Sequence, residues 1–132
     1  MKEMQPYEII EKSDEVKDLD MDWKKIYAIV LASVQANQYR VMRNGNTLFW
    51  YKIVQPKEAQ IFIFNADTHK NLIRNFKEFA RAMDVAGFRK VYGDTENEQM
   101  LEVIKRLGYP VEVEPTGEVR NGKPVYRGTV NV

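Results

Sequence analysis

The sequence predicts one mixed α/β domain, a central sheet of about six to seven strands flanked by helices on both faces. Three observations carry this. Two Asn-Gly pairs, Asn44-Gly45 and Asn121-Gly122, each sit between runs rich in β-branched and aromatic residues, as tight hairpins require. The unbroken apolar run Ile61-Phe62-Ile63-Phe64 reads as a central strand covered on both faces. From Ala59 to Leu107 the pattern runs strand, helix, strand, helix, so the sheet is expected to be antiparallel in its first half and parallel where the helix-linked strands meet.

The chain has 132 residues, 44% of them hydrophobic, enough for one core without disulfides or metal. No linker, repeat or low-complexity tract divides it, so residues 1–132 are read as one domain. The charges nearly cancel, 20 Lys+Arg against 19 Asp+Glu, which argues against a large nucleic-acid footprint. With no cysteine and a single histidine, no metal site is expected and neither a thiol nucleophile nor a disulfide framework is available. No secretory run opens the chain and no apolar stretch is long enough to span a bilayer, so a cytoplasmic location without membrane contact is expected.

Taken in order, Tyr7 to Ile10 reads as a short strand. The acidic stretch containing Glu11, Asp14, Glu15, Asp18, Asp20 and Asp22 reads as a solvated loop, with Asp20 or Asp22 capping the next helix. Trp23, Ile26, Tyr27, Val30 and Val34 recur at helical steps, with Ile29 and Leu31 widening the stripe into a largely buried helix. The Asn44-Gly45 hairpin follows, with both residues expected at positive φ, and a second turn at Gln55-Pro56-Lys57-Glu58 leads into the central strand. A helix from about Lys70 to Val85, capped by Asp67 or Thr68 and stopped by Gly87, precedes the strand RKVYGDT. A second helix, NEQMLEVIKRL, ends at Gly108, and two or three strands close the domain. The expected core comprises Trp23, Ile26, Val30, Ile61, Ile63, Phe76, Phe79, Met83, Leu101, Ile104 and Leu107.

This order of elements resembles the GNAT acetyltransferase superfamily over essentially the whole chain. The segment from Asn97 through Leu107-Gly108-Tyr109 sharpens the likeness, because an Asn opening this helix and a Leu-Gly-aromatic closing it match the family in spacing. The resemblance implies a groove for acetyl-CoA beside the central strand. It would be contacted by the backbone of Phe64 and Asn65, the N–H groups of Lys70, Asn71 and Leu72, and the side chains of Lys70 or Arg74, with Asn97 on the far wall.

Two departures qualify that implication. The family's pyrophosphate loop contains glycines, whereas Asp67 to Arg74 has none, and Leu72 and Arg74 stand where small residues are expected; Leu72 should hold the phosphates away from the backbone. The family's general-acid tyrosine falls seven residues after the Asn, and here that position is Ile104, which cannot donate a proton. No catalytic residue announces itself: Glu58, His69, Tyr92 and Tyr109 all have simpler structural readings. A basic stripe of Lys70, Arg74, Lys77 and Arg81 along the helix offers phosphate-binding side chains in place of glycines.

The residues therefore favour a divergent GNAT-like domain that has lost acetyl transfer and serves a binding or structural role. Small phage proteins resemble degenerate domains of this size, which makes virion association the alternative location. The competing reading is an active acyl-CoA-dependent N-acyltransferase, whose partner would be a small amine rather than an unidentified protein. A nucleic-acid-contacting module using the basic stripe with Arg40 and Arg43 is weaker still.

Overall fold

Pro6 opens a helix where a strand was expected. In the computed structural model, which describes residues 3–18 and 21–132, Pro6–Lys12 forms α1. Proline suits the first helical position, and Glu8 Oε1 reaches back to accept from the Gln5 N–H at 3.1 Å. Ile9 and Ile10 are both fully buried. The acidic stretch is likewise helical rather than a loop: Asp14–Asp18 forms α2, held down by the buried Val16 and Ser13. Asp22 caps α3 (Trp23–Gln35), its Oδ1 accepting from the Lys24 N–H at 3.1 Å, while Asp20 lies outside the described residues.

The buried stripe of α3 is narrower than its composition implied. Ile26, Val30 and Ser33 are buried, but Ile29, Leu31 and Val34 are exposed, because the helix meets the sheet along one line and has no second layer above it. Asn37, at φ 61°, ends it in the left-handed conformation that asparagine tolerates.

The strands β1 (Arg40–Asn44), β2 (Thr47–Gln55) and β3 (Glu58–Asn65) form an antiparallel meander. Asn44 pairs with Thr47, so the first turn is centred on Gly45-Asn46 with positive φ only at Gly45, a type II′ arrangement in place of the expected Asn44-Gly45 turn. At the second turn Pro56 precedes Lys57 at φ 68°, as a type II turn requires.

Helix α4 (His69–Val85) is capped by Thr68 and stopped at Gly87, whose φ is 96°. Strand β4 (Lys90–Thr95) follows, then α5 (Glu98–Lys105) with Asn97 as its cap and Gly108 at φ 84° after it. The chain closes with β5 (Val111–Arg120) and β6 (Lys123–Asn131), joined by Asn121-Gly122 with both φ values positive. One bulged strand, irregular between Pro115 and Val119, replaces the two pieces that the sequence left open.

Among the described residues the sheet has six strands in the order β1-β2-β3-β4-β6-β5, with β3–β4 as its parallel pair. Helices α4 and α5 cover one face, where Phe49, Phe76 and Phe79 are fully buried and Phe49 stacks on Phe79 at 4.2 Å between ring centroids. Helices α1 to α3 cover the other face over β1 to β3, burying Leu48 and Phe64 against Ile9, Ile10, Val16, Ile26 and Val30. Of the expected core, Trp23, Ile61 and Leu101 are only partly buried. Trp23 lies at the margin beside Tyr7, and the other two line an opening in the sheet.

Candidate functional site

That opening is made by strand divergence. The β3–β4 ladder holds for three pairs, Glu58 with Lys90, Ala59 with Val91 and Gln60 with Tyr92, and then stops. β3 stays with β2 as far as Asn65, while β4 stays with β6 as far as Thr95 paired with Tyr126. Gly93 stands at the vertex, where a Cβ would lie 2.9 Å from the Ile61 carbonyl oxygen, so only glycine admits this close approach. The Ile61 carbonyl faces β4; by strand alternation the backbone groups of Ile63 and Asn65 face the gap as well, and those of Phe64 face β2.

The cleft has a volume of about 80 Å³ and opens to solvent. Its walls are mostly apolar: Ile61 and Ile63 from β3, Val91 from β4, Met100, Leu101 and Ile104 from α5. The polar groups gather at one end, with Asn97, Glu96 and Arg120 from the β4 and β5 side and Glu15 arriving from α2 on the opposite face of the sheet. Glu96 lies 3.5 Å from the Arg120 guanidinium and is largely shielded from solvent. Asp14, Lys17, Asn121 and Lys123 surround a vestibule that shares Glu96 and Asn97 with the cleft.

Glu15 is the half-buried carboxylate of this site. Burial pushes its carboxyl above the ordinary value, and the shift is only partly offset by hydrogen bonds from the Ser13 hydroxyl at 2.5 Å and from the backbone N–H groups of Glu15 itself and Asn65. A carboxylate that holds its proton more tightly than usual beside an apolar cleft is suited to accept one from a substrate.

The start of α4 is built differently. Asp67 Oδ2 accepts from the Asn46 N–H at 2.8 Å and from Asn75 Nδ2 at 2.7 Å, and Asn75 Nδ2 also reaches Thr47 Oγ1 at 3.0 Å. Asn65 closes the loop, its Oδ1 accepting from Thr47 Oγ1 at 2.8 Å and from the Asp67 N–H at 3.1 Å, while its Nδ2 donates to the Asp67 carbonyl at 3.0 Å. The Asn71 N–H goes to Thr68 Oγ1 at 3.2 Å and the Leu72 N–H to the Thr68 carbonyl at 2.8 Å. From Glu58 through Ala86 no residue has positive φ, so no concave nest of N–H groups forms.

Of the residues expected to hold a cofactor, Asn97 lines the cleft and Asn65 turns its backbone toward the gap; Asn97 also caps α5 by accepting from the Gln99 N–H at 2.9 Å. Phe64 is in the core under α1 to α3, and the Asn65 side chain belongs to the closed loop. Leu72 points into the core at 5% exposure, so its branching does not stand over the helix start; the Asn71 and Leu72 N–H groups are taken within the first turn, while those of His69 and Lys70 have no acceptor among the described residues. Lys70, Arg74, Lys77 and Arg81 are all exposed, on the face of α4 opposite its buried stripe, and have no ion-pair partner among the described residues.

Glu58 sits at the paired end of β3, away from the cleft, and His69 is exposed at the first position of α4. Tyr92 carries the Arg127 guanidinium over its ring at 4.8 Å, and that guanidinium also bonds Asp94 at 2.8 and 3.2 Å. Sequence reasoning missed Glu15, Gly93, Glu96 and Asn75. Nothing local separates Glu15 from its five acidic neighbours, but a glycine inside a strand pattern marks close backbone approach and could have singled out Gly93. Among the described residues no cluster of His, Cys, Asp and Glu is arranged to hold a metal, and no helix is long and apolar enough to cross a membrane.

The sequence matches no family model and no curated protein. Its structure resembles the ribosomal-protein alpha-N-acetyltransferase RimL in complex with coenzyme A, at TM-score 0.66 and 12% identity over 96% of this chain and 86% of that one. It resembles the microcin C7 self-immunity acetyltransferase MccE in complex with acetyl-CoA and AMP, at TM-score 0.64 and 12% identity over 96% and 84%. A chimeric spermidine N-acetyltransferase SpeG from Vibrio cholerae is similar at TM-score 0.66 and 12% identity over 98% and 93%. The chain thus has the GNAT acetyltransferase fold.

Proposed function

We propose that this chain transfers an acyl group from a thioester to an amine in the β3–β4 cleft, with Glu15 as general base. The observation that carries the reading is a half-buried carboxylate, its proton affinity raised by burial, that lines a mostly apolar gap between diverging strands. The sequence alone favours loss of transfer; Glu15, supplied by a segment read as a solvated loop, shifts the balance.

Two parts of an acyl-CoA donor meet different fits. The cleft suits an acyl-pantetheine arm, with apolar walls and strand backbone free of a β4 partner at Ile63. The closed start of α4 does not suit the pyrophosphate. A bound thioester supplies an electrophilic carbonyl and a leaving thiol.

Glu15 accepts the proton of an amine entering through the vestibule. Glu96 and Asp14 line the vestibule, and the Glu96 charge is shared with Arg120. The Ile63 N–H, aimed into the gap, is a donor for negative charge on a carbonyl oxygen. Ile104 lines the cleft where the family places its acid, so the sulfur leaves as a thiolate and takes its proton from solvent water. The acceptor is therefore an amine, small or presented by a protein, and the donor is acetyl-CoA or a related thioester.

Thiol release with a panel of amines tests this. Glu15→Gln should lower kcat/KM by about 100-fold or more. Wild-type activity should rise with pH through an ionisation above the ordinary carboxylate range, and the variant should lose that limb. If the arm binds but no amine supports release, the second reading holds, a binding or structural protein, which the closed start of α4 favours.

A further inference from the structure

We infer that the donor is recognised through its acyl-pantetheine arm alone, so that the ligand class of the cleft is an acyl-pantetheine thioester with or without the nucleotide of CoA. The inference rests on the cleft reading above and concerns the other half of the donor. Four features of the α4 start argue together. Two of its N–H groups, those of Asn71 and Leu72, already have acceptors within the first turn, which leaves those of His69 and Lys70 and no more. The loop that precedes it has no left-handed residue, so its backbone cannot fold around a phosphate.

A fixed carboxylate, Asp67, stands one residue before the cap and is held there by Asn46 and by Asn75, which is 1% exposed. It repels a pyrophosphate at the position where the helix dipole would attract one. The β1–β2 turn closes the loop from outside: a Cβ on Gly45 would lie 2.9 Å from Asp67 Oδ2 and 2.8 Å from Asn75 Nδ2, which leaves no room for the loop to open toward that side.

The exposed cations Lys70 and Arg74 remain, and at the surface their attraction for phosphate is screened within about 10 Å at 0.1 M salt. Any preference for the nucleotide form is therefore small and vanishes with salt, whereas a backbone cradle would persist.

Calorimetry on the intact protein with three probes decides the matter: acetyl-CoA, S-acetylpantetheine and adenosine 3′,5′-bisphosphate, at low and at high salt. The expected result is that the two thioesters bind within roughly 10-fold of each other at low salt and within about 2-fold at high salt, with no displacement by the nucleotide. The low-salt difference should disappear in Lys70→Ala/Arg74→Ala. Acetyl-CoA binding roughly 100-fold tighter than S-acetylpantetheine at both salt concentrations, or displacement by the nucleotide, would overturn the inference and leave the cleft reading intact. Failure of both thioesters to bind would overturn the cleft reading and the inference with it.

Discussion

The β3–β4 cleft and the start of α4 lie on either side of Asn65, and they are opposites. At the cleft two strands part and leave backbone groups without a β partner beside an apolar gap. At the helix start the side chains of Thr47, Asn65, Asp67 and Asn75 bond one another and nearby backbone groups. The two regions depend on different devices. The gap needs only that β4 follow β6 past Gly93, whereas a phosphate cradle needs positive φ and free N–H groups in the loop. One can be present without the other: here the strands part, and the loop before α4 has no residue at positive φ.

The largest structural effect should come from the closed region. Asn75→Leu leaves Asp67 and Thr47 each without one partner in a buried network, and unfolding in urea should show a loss of about 2 kcal/mol. Thioester binding by the folded variant should be unchanged; a parallel fall in affinity would break the separation of the two regions.

Next comes Gly93→Ala, which forces backbone apart at the vertex. A cost of about 1–2 kcal/mol is expected, with weaker thioester binding and unaltered amide protection in the first turn of α4. Loss of protection in α4 would show the vertex and the helix start to be one mechanical unit.

Glu15→Gln sharpens the comparison through pH. Because the folded carboxyl binds its proton more tightly than the unfolded one, native stability is greatest below the unfolded value near 4.5 and falls as pH rises through the raised folded value. The variant should accordingly be more stable than wild type at pH 7 and show no such gain at pH 3.5, read from urea midpoints at the two pH values. A gain of equal size at both would mean that burial of charge is not the cause. The smallest effect belongs to Lys70→Ala, an exposed helix position where stability should change by less than about 0.5 kcal/mol. A larger thermal shift would show that the cation is tied into the closed loop.

Much of the fold was legible because it rests on local chemistry. Pro56-Lys57, Gly87, Gly108 and Asn121-Gly122 each mark a turn or helix end by backbone preference alone, and the periods of α4 and α5 name their buried faces. The first turn was placed one residue early because Asn44 and Asn46 flank Gly45 equally, and only the pairing of Asn44 with Thr47 decides between them. The strand assigned to Tyr7–Ile10 failed because four residues carry too little periodicity to separate helix from strand, although Pro6 was a helix-start signal in plain view.

The candidate site was nearly illegible, and one physical reason covers it. Residues 1 to 132 by themselves determined the class of fold, the order of elements from β1 onward and the absence of glycine before α4, since each depends on neighbours within a few positions. Tertiary structure decided where β4 leaves β3, which of six acidic residues would be carried to the gap, and that Asn75 would bind Asp67 and so close the helix start. Those outcomes depend on contacts between segments distant in the chain, where burial and strand pairing set the energy and local sequence preference has no purchase.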